Sequence, residues 1–481
     1  MELHSLFFVL FFATVFVIYY LFSNKKWVQN TVLLVASYIF YALASIKIVP
    51  IILLMTLFFY LMGIQIDKWN CKGDEEKASK ITAFTIVVGL LPLFYFKYFN
   101  FFFDSFVDLF NLMGLHFHHS VLKIMLPLGL SFYTFRLISY AIEINQCAIN
   151  AEKNLLVFAT YVAYFPSLVA GPIDRPNDFL PQLHNNRLPQ YENFVEGLKR
   201  FVWGWFMKIC VADRMTAYIS ATAMGVDNGT TMFLVALMGP FRVYCDFAGY
   251  SHMAIGASRM LGIVSAENFN HPFFAQNISD YWHRWHMSLT SWVTDYVYTP
   301  LNFKYRNLGK WGMMLAIYIN LFIISFWHKA SWGYILFGLY HATLFFPIIF
   351  RNIQAKDSEL KWVKGWLLHP KCILKAAGIY LLLTIAEVFA KSDTISDVGL
   401  IFKSWFAPWG MPNLQGKLNI LIFVFCGLIV VIKDYFDELG TKHNILKSNK
   451  PLWVVIGVVT FALLIFFLRG NVAQEFIYQQ F

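Results

Sequence analysis

Residues 6–22, 81–96, 311–327, 373–389, 418–432 and 453–467 are almost wholly apolar. Each run approaches the roughly 20 residues with which a helix crosses the hydrocarbon of a bilayer. With the less clean candidates between them, the pattern predicts about ten to twelve hydrophobic helices. Only 14% of the 481 residues are charged, against about 25% in a soluble domain, so these runs face lipid and not a water-soluble core. A backbone in lipid must satisfy its own hydrogen bonds, which leaves helices and closed barrels, and the runs are too long and continuous for barrel strands of ~10 residues. The sequence therefore predicts an all-α integral membrane protein, a polytopic helical bundle. The first run has no basic region before it and no small-residue cleavage site after it, so it reads as a retained span.

A net charge of +10 would suggest nucleic acid in a soluble protein. Here it reads as lysine gathered in cytoplasmic loops, with no nucleic-acid partner. Lys25 and Lys26 follow the first span, Lys47 alone separates the second from the third, and Lys68, Lys72, Lys77 and Lys80 follow the third. That alternation places the N-terminus outside the cytoplasm and residues 67–80 inside it. The six cysteines are scattered without a CxxC pair, a pattern of neither a disulfide framework nor a zinc site.

Organisation along the chain is uneven. Residues 1–120 read as scaffold spans, 121–350 as the core, and 351–481 as C-terminal spans, all within one membrane domain. In the core, Pro, Gly and polar residues interrupt the apolar stretches at "LPLGLSFYTFRLISY", "VAGPIDRPNDFLPQL" and "YCDFAGYSHMAIG". Irregular backbone at membrane depth is tolerated only inside protein or along a wet cavity, so the core is expected to carry re-entrant or tilted elements around an internal site.

The densest polar stretch is "ISDYWHRWHMSLTSWVTDYVYTPL". Read as one helix, it sets His283 and His286 at i and i+3, pairs Trp282 with Trp285 likewise, and puts Asp280 one turn before Arg284; Asp295 follows on. The alternative reading is an interfacial amphipathic helix with tryptophans at headgroup level. In "IISFWHKASWGYILFGLYHATLFF", His328 ends an apolar run and His341 sits inside the next, and ionisable groups in such places are candidates for function. A buried imidazole stays neutral, because desolvation disfavours the cation, and can accept a proton from a hydroxyl. His341 also reads as a core histidine bonded to a neighbouring helix. "DFAGYSHMAIG" adds Asp246, Tyr250, Ser251 and His252 around Gly249, and "GPIDRP" adds Asp174 and Arg175 in a turn; for both, helix packing or a solvated loop is an equal reading.

Together with "LLVASYIFYA" and the terminal "FIYQQF", in their order and spacing, these segments resemble the membrane-bound O-acyltransferase family, specifically its bacterial branch of alginate O-acetylation and related cell-wall acylation proteins. The resemblance implies a ring of helices around a thin central tunnel, through which a cytoplasmic acyl donor is used on the outer side. It implies His328 as the catalytic residue and His286 as its polar companion, with Trp282, Arg284, Trp285, Asp295, Asp246, Tyr250, Ser251 and His341 along the tunnel or substrate path. It further implies no bound cofactor or metal, acetyl-CoA as donor, and an envelope polysaccharide or peptidoglycan as acceptor. The acceptor is reached directly or through a periplasmic SGNH-type acyltransferase, from the bacterial inner membrane. Two residues depart from the family pattern: Lys329 stands where glycine is usual, and His252 where aspartate is usual.

Two other functions use similar ingredients. A membrane di-iron desaturase would need several HxxxH or HxxHH boxes, whereas this chain has one HxxH, His283 to His286, and a cluster of His116, His118 and His119 with neither spacing. A transporter would also bind substrate between broken helices, but no inverted repeat of hydropathy is visible.

Overall fold

The computed structural model describes residues 2–118, 126–223, 228–351, 369–413, 416–440 and 450–470; His119 and the terminal "FIYQQF" lie outside them. Every element among the described residues is helical. Eight helices there are long and apolar enough to cross a membrane: Ile46–Cys71, Glu75–Leu112, Gly229–Met260, Lys310–His328, Trp332–Arg351, Pro370–Lys391, Lys417–Glu438 and Pro451–Leu468. Leu6–Leu21 is a shorter apolar helix, and Leu130–Asn145 is nearly all buried. The chain is an all-α polytopic membrane protein. It packs as two compact units, residues 1–198 with 254–266, and residues 199–253 with 267–481.

In the first unit, the Ser5 hydroxyl accepts from the Phe8 amide and starts Leu6–Leu21 at the predicted place. Phe8, Phe11 and Phe12 of that helix meet Phe40 and Phe165 with ring centroids 5.6–6.5 Å apart. The charged stretch at residues 67–80 is mostly helix, broken only at 72–74, and Asp74 caps the second helix by accepting from the Lys77 amide. Asp174 sits in a turn and takes part in a buried network: its carboxylate accepts from the Ala266 amide (2.9 Å) and the Ser167 hydroxyl (3.2 Å) and lies 3.4 Å from Arg136. The "GPIDRP" turn thus holds the fold together.

In the second unit, Pro451–Leu468 exposes Leu452, Val455, Phe466 and Phe467 by 59–71%, a surface suited to lipid and not to water. Elsewhere the helices approach closely where side chains are small. A Cβ at Gly338 would stand 2.7 Å from Ser325 Oγ, so the Lys310–His328 and Trp332–Thr343 helices pack tightly there. "YCDFAGYSHMAIG" does not break the chain as expected. It lies inside the unbroken Gly229–Met260 helix, because Gly249 serves packing: a Cβ on it would come within 2.8 Å of the Gly204 carbonyl. Lys208 is buried beside that contact and bridges Asp213 (2.8 Å) and Asp246 (2.7 Å). The irregularity expected of the core appears around "VAGPIDRPNDFLPQL", between the short helices Phe165–Leu168 and Pro176–Leu183, and at residues 266–305, where short helices alternate with turns and a π-helical segment, Thr294–Tyr298.

Candidate active site

The sequence around His286 does not form the single helix expected of it. Ile278–Trp282 ends at His283, and Met287–Val293 begins after His286, whose backbone is left-handed (φ 43°, ψ 52°). That conformation costs a residue with a Cβ roughly 1–2 kcal/mol, and here tertiary bonds hold it. The Met287 amide donates to the Asn268 carbonyl (2.8 Å), and the His286 ring meets the Asn268 side chain. The break separates the two histidines that the i, i+3 spacing placed on one face. His283 is exposed, its Nδ1 within 2.6 Å of the Ser279 carbonyl, whereas His286 is 1% exposed.

Asn268 orders the site. Its Oδ1 accepts from the Ser288 hydroxyl (2.8 Å) and its Nδ2 donates to Ser251 Oγ (3.0 Å). His286 Nδ1 then donates to Oδ1 (2.9 Å), so the neutral imidazole carries its proton on Nδ1 and Nε2 is the acceptor nitrogen. Burial, and after it the neighbouring His328, hold the His286 pKa well below the usual histidine value. Phe247 packs edge-on against the ring, centroids 4.6 Å apart.

His328 is the last residue of the Lys310–His328 helix, as its place at the end of an apolar run predicts. Its ring lies 6.3 Å from that of His286 and is flanked by Trp327 (4.9 Å) and Tyr334 (6.2 Å). Unlike His286 it is only partly buried, and it forms part of the wall of a cavity of about 260 Å³ together with Trp282, Trp285, Tyr334, Phe337 and His341. His341 is 1% exposed and wedged between Phe337 (4.4 Å) and Trp282 (5.2 Å); neither ring nitrogen has a hydrogen-bond partner among the described residues. It is therefore not the helix-bonded core histidine of the alternative reading. Its side chain lines the same cavity as His328.

A second cavity, of about 790 Å³, runs along the same helix from Lys310 to Ile324. Its lining combines apolar side chains such as Met313, Ile317, Leu321 and Ile348 with the hydroxyls of Ser279, Thr290, Ser291 and Thr294, the Asn320 amide, His283 and Asp295. Thr290, Ser291, Thr294 and Asp295 recur at the spacing of one helical face, which aims this polar stripe at the cavity. The 19-residue helix lines the larger cavity from Lys310 to Ile324 and the smaller one at His328. Trp282 belongs to both walls.

The structure thus brings together Trp282, Trp285, His286, His328 and His341, and puts Asp295 on the larger cavity. It places the remaining candidates elsewhere. Arg284 lines neither cavity: its guanidinium bonds Asp280 (2.8 Å) and, in a two-armed pair, Glu438 (2.8 and 3.0 Å), tying the short helix to the end of Lys417–Glu438. Asp246 is bound to Lys208, Tyr250 is 2% exposed and lines neither cavity, and Ser251 supports Asn268. His252 accepts from Arg200 Nε (3.1 Å). Sequence reading missed Asn268, for which no local signal exists, and also Lys208 and Arg242, which a search for charges inside apolar runs finds. Among the described residues no group of three or more His, Cys, Asp or Glu side chains is placed to hold a metal ion.

Residues 33–364 match the membrane-bound O-acyltransferase family. The chain is 35% identical over 370 residues to the Pseudomonas aeruginosa protein named "Probable alginate O-acetylase AlgI", covering 75% of this chain and 69% of that one. It is 30% identical over 348 residues to a peptidoglycan O-acetyltransferase of Helicobacter pylori (64% and 62% covered) and 28% identical over 290 residues to a teichoic acid D-alanyltransferase of Bacillus subtilis (58% and 70%). With more than half its length matched and an all-helical membrane architecture, the chain belongs to the membrane-bound O-acyltransferase family and is an integral-membrane acyltransferase.

Proposed function

We propose that this acyltransferase moves an acetyl group from cytoplasmic acetyl-CoA to a hydroxyl presented on the outer side of the bacterial inner membrane. The ultimate acceptor is an envelope polysaccharide or peptidoglycan, reached directly or through a periplasmic SGNH-type acyltransferase. The observation that carries the reading is the pair of cavities along one spanning helix, the larger reaching its Lys310 end and the smaller at His328, with Trp282 common to both. Lys304, Arg306, Lys310 and Arg351 gather at the Lys310 end, which the positive-inside rule assigns to the cytoplasm. The larger cavity then receives the donor, its apolar wall and row of hydroxyls suiting an extended arm of mixed polarity. The aromatic walls around His328 suit a short acyl group, and the names of the Pseudomonas and Helicobacter relatives favour acetyl.

In the reaction the acceptor oxygen attacks the thioester carbonyl carbon while the neutral His328 imidazole takes its proton. The tetrahedral intermediate collapses, the carbon–sulfur bond breaks, and the thiolate leaves with that proton, giving an ester and free thiol. His286, held by Asn268, stands behind His328 and keeps its orientation. The orientation within the membrane follows the lysines: N-terminus outside, residues 67–80 in the cytoplasm. Mass spectrometry of envelope glycans from cells with and without the protein tests the reading. Loss of O-acetyl esters in the deletion supports it, and unchanged acylation of every glycan contradicts it.

A further inference from the structure

The smaller cavity is cationic as well as aromatic. Arg242, Lys329 and Lys391 form part of its wall, against one lining carboxylate, Glu387. That carboxylate stands 3.6 Å from Arg242 and 3.7 Å from Lys391, distances beyond a good charge-assisted hydrogen bond, so it is shared loosely between two cations. Arg242 Nε is buried and has no hydrogen-bond partner among the described residues. Lys329 follows His328 directly in extended backbone (φ −150°, ψ 135°), and its ammonium bonds Asp393 (2.6 Å), a carboxylate 65% exposed. An ion pair so exposed is worth about 0–1 kcal/mol, so an incoming anion displaces Asp393 at small cost. His341 also lines this cavity, 1% exposed and with neither ring nitrogen hydrogen-bonded among the described residues. A cavity that served only to shelter an uncharged hydroxyl would have no use for three cations beside its base.

We propose that this cavity recognises an anionic group on the acceptor, a carboxylate or a phosphate, through Arg242, Lys329 and Lys391, and that Lys329 determines this specificity. The inference rests on the proposed function in taking the His328 end as the acceptor side. Fixing the anion on Lys329, one residue from His328, aligns a neighbouring hydroxyl with the imidazole, and His341 offers a nitrogen to a second polar group of the same acceptor.

The test uses the full-length protein in phosphatidylcholine nanodiscs. Binding of three oligomers is followed by tryptophan fluorescence, since Trp282 and Trp285 line the cavity: a hexuronate oligosaccharide, its carboxyl-reduced neutral counterpart, and a glycerol phosphate oligomer. At least one anionic oligomer is expected to bind about tenfold more tightly than the neutral one, a difference of about 1.4 kcal/mol, with a preference that falls as salt rises. Which anion wins separates carboxylate from phosphate. Lys329→Gln should abolish the preference, and Lys329→Arg should retain it. Equal binding of all three oligomers by the wild type, or a preference untouched by Lys329→Gln, overturns the proposal. So does a Lys329→Gln effect confined to binding of acetyl-CoA, because the cations would then serve the donor's phosphates. Anion-selective binding that depends on Lys329 in a protein without acetyl transfer supports the proposal while removing the proposed function.

Discussion

Replacing Asn268 by alanine removes the side chain that holds His286 and touches no cavity wall. Three hydrogen bonds go with it, from His286 (2.9 Å), from Ser288 (2.8 Å) and to Ser251 (3.0 Å). All three partners are at most 4% exposed, so water does not replace the lost bonds. At about 1 kcal/mol net per bond, and more where a buried group is left unsatisfied, the loss is about 3 kcal/mol or more. Part of it falls on the left-handed His286 backbone, and a misplacement of 1 Å near reacting groups costs about 10²-fold in rate. The expected result is a fall of about 10²-fold in kcat with little change in KM for the acyl donor, measured as radiolabelled acetyl transfer in proteoliposomes at equal protein content. Asn268→Asp separates position from charge. It keeps an acceptor for His286 Nδ1 but adds a carboxylate that favours imidazolium, opposing the burial that holds the His286 pKa down. A neutral imidazole is lost as pH falls through its pKa, so raising that pKa moves the acid limb of the rate profile to higher pH. Near wild-type kcat for Asn268→Ala, with no movement of the acid limb in Asn268→Asp, would show that His286 is not held for catalysis by this residue.

Lys208→Met leaves Asp213 and Asp246 buried side by side without their cation; a destabilisation of about 3–5 kcal/mol is expected as a lowered thermal midpoint in detergent, and an unchanged midpoint would contradict the structural role given to the triad. Trp282→Ala opens the wall common to both cavities, so butyryl and hexanoyl donors should gain relative to acetyl in competition assays; retained acetyl selectivity would place the acyl filter elsewhere. Cys71, exposed at the end of the Ile46–Cys71 helix, should resist an impermeant maleimide added to intact cells and react after permeabilisation, whereas labelling of intact cells would reverse the orientation.

The helical spans were legible because hydropathy and length are properties of a segment alone: the run at 311–327 became Lys310–His328, and the run at 453–467 became Pro451–Leu468. His328 was legible for the same reason, as a titratable group at the end of a span. What depends on distant partners was not. The break at His286 is set by Asn268, 18 residues earlier, and its left-handed backbone falls on a histidine where glycine would have announced it. Conversely, the glycines of "DFAGYSHMAIG" signalled a break but provide a close helix contact inside one continuous helix. Arg284 was placed along the tunnel by the family resemblance of its stretch. Its fate was decided by Glu438, 154 residues away.

The central claim is that His328 acts as the base. His328→Gln preserves much of the side chain's size and its hydrogen-bonding capacity but not its basicity, and a partly buried residue at a helix end is a small part of the fold. General-base catalysis contributes about 10²–10⁴-fold, so acetyl transfer by the purified glutamine variant should fall by at least the lower figure while its thermal midpoint and membrane insertion match the wild type. Transfer near the wild-type rate at equal protein level would contradict the account and leave His328 as a binding or structural residue.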